Sequence, residues 1–261
     1  MTVSMSTSHD GAVQTWWLDR PDARNAMDLE MWQRLIDLAD GVRRTNTVRA
    51  VVLRGRGDHF SGGADIERLG RSLAADVDGS EYRATNAAAE RAVISLPVPT
   101  IAAIDGFCVG GGVQVAICCD IRIATHRAQF GVTPARLGIS YPASGIQRLI
   151  HVAGLPGASE LLLTGDIVSS ARAAQMNLVH HLVDDLDAHL ETLLATVLSR
   201  SSFTQSSVKA ILTALEYGDD PAALGHELER ASLTAGDLDE GLSAFREKRP
   251  PNFGTLRRDG A

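Results

Sequence analysis

Residues 98–124 read VPTIAAIDGFCVGGGVQVAICCDIRIA, and the order of patterns in this stretch decides the fold class. VPTIAAI at 98–104 is a short apolar run of strand length. GFCVGGG follows as a loop, and an apolar helix is expected from about 111 to 118. CDIRIA at 119–124 reads as the next strand. Strand, glycine-rich loop, helix and strand again means parallel strands joined by crossovers, which is α/β architecture.

The same alternation extends outward on the N-terminal side. RAVVLR at 49–54 reads as a buried strand and runs into a second glycine-rich loop, GRGDHFSGGAD. AVQTWWL at 12–18 alternates as a strand does. Between them a helix is expected over 28–45, capped by Asp28 or Asn25, with Leu29, Trp32, Leu35, Ile36 and Leu38 on its apolar face. Another helix covers 80–95. Beyond about 155 the pattern turns mostly helical, over 157–163, 170–176, 186–200, 206–217, 221–235 and 238–247, with strand-like pieces near 167–168 and 178–183. This divides the chain into a core at 1–200 and a C-terminal helical region at 201–261, without repeat or linker.

Composition narrows the function. With 25 Lys+Arg against 32 Asp+Glu the net charge is −7, which argues against a nucleic-acid partner. No apolar run approaches the ~18 residues of a membrane span. MTVSMSTSHDG carries neither the basic nor the apolar part of an export signal, and Cys108, Cys118 and Cys119 are too few for a disulfide framework. A cytoplasmic location is expected.

The two loops, Phe60-Ser61-Gly62-Gly63-Ala64-Asp65 and Gly106-Phe107-Cys108-Val109-Gly110-Gly111-Gly112, are the chemical signal. Glycines let backbone approach a ligand, and two such loops converging make an oxyanion hole from N–H groups alone; two tight turns without a ligand remain the alternative. The signatures of a Rossmann site, a P-loop and a Gly-x-Ser-x-Gly nucleophile elbow do not occur. His180-His181 lack further ligands at metal spacing and read as strand histidines, so no metal is expected. Cys118-Cys119 read as core packing.

Five separated segments give this pattern a resemblance. They are Leu18-Asp19-Arg20-Pro21 with Arg24-Asn25-Ala26; Phe60 to Asp65; Ile104-Asp105-Gly106 through Gly110-Gly111-Gly112 to Cys119-Asp120; Phe130-Gly131 with Leu137-Gly138; and Glu240-Gly241 with Ala244-Phe245 and Lys248-Arg249. In that order they resemble the crotonase superfamily, the enoyl-CoA hydratase/isomerase fold, over nearly the whole chain. The resemblance implies a spiral of ββα units with a C-terminal helical trimerisation region, a homotrimer or dimer of trimers, and an acyl-CoA thioester as ligand. Coenzyme A enters as part of the substrate, with no permanently bound cofactor. By position, Ala64 and Gly111 supply the two N–H donors to the thioester oxygen. Ala26, Ser61, Gly62, Asp65 and Ile66 border the coenzyme, and Arg24 with a neighbouring subunit's Lys248 meets its phosphates.

The chain departs from the hydratases it resembles. Their two glutamates fall at positions that hold Gln114 and Pro134 here, and no Asp or Glu lies between Asp120 and Glu160 to replace the second. The run Thr133-Pro134 with Leu137-Gly138 and Tyr141 is similar to the loop of the superfamily's methylmalonyl-CoA decarboxylases, which carry a His where this chain has Ala64. Catalytic candidates are therefore Ala64, Gly111, Gln114 and Tyr141. Three classes stay open: a lyase or isomerase with a non-standard proton-transfer group, a decarboxylase-type enzyme using Tyr141, and a non-catalytic acyl-CoA carrier. An acid within reach of the acyl pocket favours the first.

Overall fold

The computed structural model describes residues 3–75 and 80–253, and the runs that read as buried strands stand side by side in one sheet. β1 (Val3–Ser8) and β2 (Val13–Leu18) pair antiparallel; β2 pairs parallel with β3 (Ala50–Gly55), and β3 with β4 (Thr100–Ile104). α1 (Leu29–Arg43) connects β2 to β3, and α2 (Ile66–Ala75) and α3 (Ser80–Ile94) lie between β3 and β4. After β4 come β5 (Phe107–Val109), α4 (Gly111–Ala116), β6 (Ile121–Thr125) and β7 (Gln129–Gly131). α5 (Ala143–Thr164), β8 (Ile167–Ser169), α6 (Ser170–Gln175), β9 (His181–Val183) and α7 (Leu186–Leu198) complete the core. α8 (Ser202–Tyr217), α9 (Ala222–Ser232) and α10 (Asp237–Glu247) form the C-terminal region.

The six-stranded sheet runs β1-β2-β3-β4-β6-β9, and a small sheet runs β5-β7-β8. Sequence order and spatial order agree along the large sheet, so the chain climbs in one direction. A doubly wound sheet would reverse at a switch point; this one spirals. Both faces are covered, which is why its central strands read as continuous apolar runs. Val13, Val52, Ile101, Ala103 and Ile123 face Leu190 and Leu194 of α7, while Val51, Leu53, Ala102 and Ile104 face the main core.

Local chemistry explains the boundaries. Asp28, not Asn25, caps α1: its Oδ1 accepts from the Met31 N–H at 2.9 Å. The expected helix at 157–163 is the second half of α5, whose backbone breaks at Gly154 (φ 68°) two residues before Pro156. The expected strand at 119–124 starts at Ile121, because the Cys118 and Cys119 N–H groups still bond back to Val115 and Ala116. No helix among the described residues is long and apolar enough to cross a membrane.

α8 is tied to the core by two ion pairs, one from Arg148 on α5 to Glu216 and a second centred on Lys209. Lys209 on α8 sets its Nζ 2.5 Å from Oδ2 of Asp120, and the same oxygen accepts from the N–H and Oγ1 of Thr100. Elsewhere the C-terminal helices leave large apolar side chains uncovered, Leu212 and Phe245 among them at 57% and 84% exposure.

Candidate active site

Three backbone segments lie in register and build the site. Asn25 is fully buried with a left-handed backbone (φ 55°), and its amide donates to the Arg56 and His59 carbonyls at 2.9 and 2.7 Å. That anchors residues 25–27 beside the first glycine-rich loop. The Gly62 N–H then donates to Arg24, Met27 N–H to Gly63, and Asp65 N–H to Met27, at 2.7–2.8 Å. On its other side the loop pairs with the second: Ser61 N–H donates to Phe107, and Val109 N–H to Ser61.

This ladder uses the N–H groups around Ala64 and leaves that of Ala64 outside it. Gly111 opens α4, where the first N–H groups have no intrahelical acceptor. Among the described residues, neither the Ala64 nor the Gly111 N–H has an acceptor within the protein, and both residues line one cavity of about 640 Å³. Convergence of the loops demands glycine at two places. Gly110 has φ 51°, a backbone conformation that residues with side chains rarely adopt. A Cβ on Gly112 would fall 2.8 Å from the Ser61 carbonyl oxygen. We therefore expect Gly112→Ala to destabilise the fold by about 1–3 kcal/mol in chemical denaturation, as overpacking does. Gly41→Ala, in α1 with open space around it, should instead stabilise by about 0.4–1 kcal/mol.

A polar cluster forms the wall beyond the loops. Gln114 follows Gly111 by one helical turn, and its Nε2 donates to Asn86 Oδ1 and to Glu90 Oε1, each at 2.5 Å. Glu90 is 5% exposed; burial pushes its carboxyl above the usual range, against the pull of hydrogen bonds from Gln114 and Ser144. Tyr82 accepts from Trp32 Nε1 at 3.3 Å. The Tyr141 ring packs on Gly145, and its hydroxyl is buried without a partner. Burial raises the Tyr141 pKa far above its ordinary value, so at neutral pH this phenol is a hydrogen-bond donor and not a base. The opposite wall is apolar, from Ile66, Leu69, Leu137 and Ile139. Pro134 lines it too, and its carbonyl receives the Leu137 and Ile139 N–H groups, pinning the loop.

Of the residues singled out from the sequence, Gly62, Ala64, Ile66, Gly111, Gln114 and Tyr141 line this one cavity. Ala26 and Ser61 lie behind it. The Ser61 hydroxyl donates to the Asn25 carbonyl at 2.8 Å, and the Ala26 carbonyl receives Arg20 Nη1 at 2.7 Å. Arg24 is exposed, its guanidinium 5.5 Å from the Phe107 ring centre. The Asp65 carboxylate is committed within the protein. It pairs with Arg20 at 2.8 Å and accepts the Arg68 N–H at 3.1 Å; burial would raise its pKa, but these partners hold it below the usual range. Lys248 is the exposed left-handed cap of α10, outside this cavity.

Asn86 and Glu90 were not singled out. A signal did exist: Tyr82, Asn86 and Glu90 recur every fourth residue on a helix whose Ala89 and Val93 are also buried. His180 accepts the Arg122 N–H at 3.0 Å on Nδ1, as a strand-edge histidine, and the three cysteines are buried thiols, with Cys119 pushed up to about 12 by burial.

Known proteins resemble this chain along nearly its whole length. The model of the family described as enoyl-CoA hydratase/isomerase matches residues 9–256. Crotonyl-CoA hydratase of Syntrophomonas wolfei subsp. wolfei is 31% identical over 91% of this chain and 92% of its own. The mitochondrial Delta(3,5)-Delta(2,4)-dienoyl-CoA isomerase of Dictyostelium discoideum is 30% identical over 90% and 85%. The crystal structure of an enoyl-CoA hydratase/carnithine racemase from Magnetospirillum magneticum superposes with a TM-score of 0.92 at 31% identity, covering 98% of this chain and 96% of that one.

Proposed function

The chain belongs to the enoyl-CoA hydratase/isomerase family, and on that premise we propose that it is an acyl-CoA lyase or isomerase that holds the thioester oxygen between the N–H groups of Ala64 and Gly111. One observation carries the reading: these two donors, unpaired within the protein, border the same cavity. Charge that develops on the thioester oxygen as an enolate forms would meet two preorganised donors, each contributing on the order of 10²–10³ in rate. The coenzyme belongs to the substrate. Its polar end would run along residues 24–26 and 61–66, with Arg24 and the Lys248 of a neighbouring copy meeting phosphate.

The reaction would differ from a hydration flanked by two glutamates, because the positions we assign to those glutamates hold Gln114 and Pro134. Glu90, the buried acid bonded to the Gln114 amide, does not itself line the cavity. Tyr141 supports a second reading, in which its unpartnered hydroxyl donates to the carboxylate or enolate of a malonyl-type thioester.

The test is a panel of acyl-CoA thioesters, malonyl-type ones included, assayed for binding and turnover together. With crotonyl-CoA, loss of the conjugated enoyl absorbance at neutral pH should run well below roughly 10 s⁻¹, the typical enzyme value. Turnover at or above that rate would overturn the atypical-site reading; binding of no thioester would overturn the function itself.

We also propose that the C-terminal helices join copies into a trimer or a dimer of trimers. The groove of about 800 Å³ bordered by Val208, Leu212 and Phe245, and the exposure of those side chains, support it. Light scattering at micromolar concentration should give three or six times the 27.8 kDa chain mass, and a uniform monomer would refute it. The proposed location is the cytoplasm, in keeping with three unpaired thiols.

A further inference from the structure

We propose that Glu90 is a positioning residue for the acyl pocket: it locks the Gln114 side chain so that Oε1, and not Nε2, is presented to the ligand. The inference rests on the acyl-CoA reading above. Asn86 and Glu90 are four residues apart on α3 and stand on one face of it, and both accept from the same Gln114 nitrogen at 2.5 Å. An amide nitrogen carries two hydrogens, so both are committed. Turning the amide over would set its carbonyl oxygen against two acceptors.

The two neighbours are not equivalent. Asn86 has an amide of its own and can turn to offer either a donor or an acceptor, whereas the Glu90 carboxyl is held as an acceptor by Gln114 and Ser144 together. The asymmetry assigns the orientation to Glu90. Gln114 is 4% exposed and lines the cavity, so the pocket is where its remaining lone pairs are reached. Beside the hole, that oxygen is an obligatory acceptor, suited to a hydroxyl on the acyl group or to a water.

The experiment compares affinities by calorimetry for butyryl-CoA, 2-hydroxybutyryl-CoA and 3-hydroxybutyryl-CoA. The wild type should bind at least one hydroxylated ligand roughly threefold to tenfold more tightly than butyryl-CoA, the worth of one hydrogen bond. In Glu90→Leu that ratio should collapse toward one, because the freed amide can present either end. Glu90→Gln should fall between, since an amide at 90 accepts but does not enforce. A purely structural role would shift the melting temperature and leave the ratio alone. If Glu90→Leu does not fold, Gln114→Met must abolish the preference while Glu90→Gln reduces it. A ratio kept in Glu90→Leu or Gln114→Met, or no preference in the wild type, overturns the proposal while the thioester reading survives. Failure of all three ligands to bind the wild type overturns both.

Discussion

Gly111→Pro should lower acyl-CoA turnover by about 10²–10³-fold, the usual cost of losing one oxyanion donor. The position isolates the N–H unusually well. Gly111 is the first residue of α4, where proline is tolerated because its missing N–H has no helical acceptor to lose. A Cβ there meets Met27 Cγ and Trp32 Cζ2 at 3.5 Å, ordinary contact distances. Gly111→Ala therefore serves as the partner variant: it adds the carbon, keeps the N–H and should lose far less. The readout is single-turnover rate on whichever thioester the panel identifies, with circular dichroism to verify folding. Equal rates in the proline and alanine variants would remove Gly111 from the proposed hole.

The second large effect concerns Gln114. From the sequence, restoring glutamates at 114 and 134 is the natural route to a hydratase. The structure changes the recipe, because Gln114→Glu places a carboxyl where Nε2 now lies, 2.5 Å from Glu90 Oε1. Two carboxylates at that distance cannot both ionise; they share a proton and titrate as a pair. The single variant should gain little hydration activity at neutral pH. The reciprocal exchange, Gln114→Glu with Glu90→Gln, puts an amide behind the new carboxylate and an acid in front. It should raise crotonyl-CoA hydration by up to about 10²–10⁴, the contribution of one general acid–base group. Adding Pro134→Glu tests the second position, with the pinned loop at 134–139 the structural risk. Equal gains from the single and reciprocal variants would show that Glu90 does not couple to position 114.

What the sequence disclosed follows from how each feature is encoded. The loops were legible because their convergence depends on close backbone approach, and approach is written in glycine: Gly110, with its left-handed backbone, and Gly112, against the Ser61 carbonyl, have no substitute where they stand. Ala64, Gly111, Gln114 and Tyr141 all line one cavity. Glu90 and Asn86 were hidden by the ambiguity of a polar residue on an amphipathic helix. The spacing that carries them inward is the one that would put them in water, and only the packing of α3 on the site decides. The three-residue strands β5 and β7 are too short to show alternation. β1 is polar, exposed along most of its length and held by pairing with β2, so nothing in its own residues marks it as part of the sheet.

The Asp120–Lys209 contact has a consequence for how the molecule comes apart. A single carboxylate oxygen gathers the Thr100 backbone at the start of β4, the Thr100 hydroxyl and the ammonium of α8. Removing α8 would strip Asp120 of its cation and take away one wall of the groove that Leu212 borders. The boundary near 200 divides the chain by pattern, but the Asp120–Lys209 and Arg148–Glu216 ion pairs stitch across it, making one cooperative unit of the two parts. Native-state amide exchange should then show β4 and α8 opening together, and Lys209→Met should let α8 exchange at lower free energy than the sheet. The glycine-rich loop that follows β4 would inherit its rigidity from a helix outside the cavity that this loop lines.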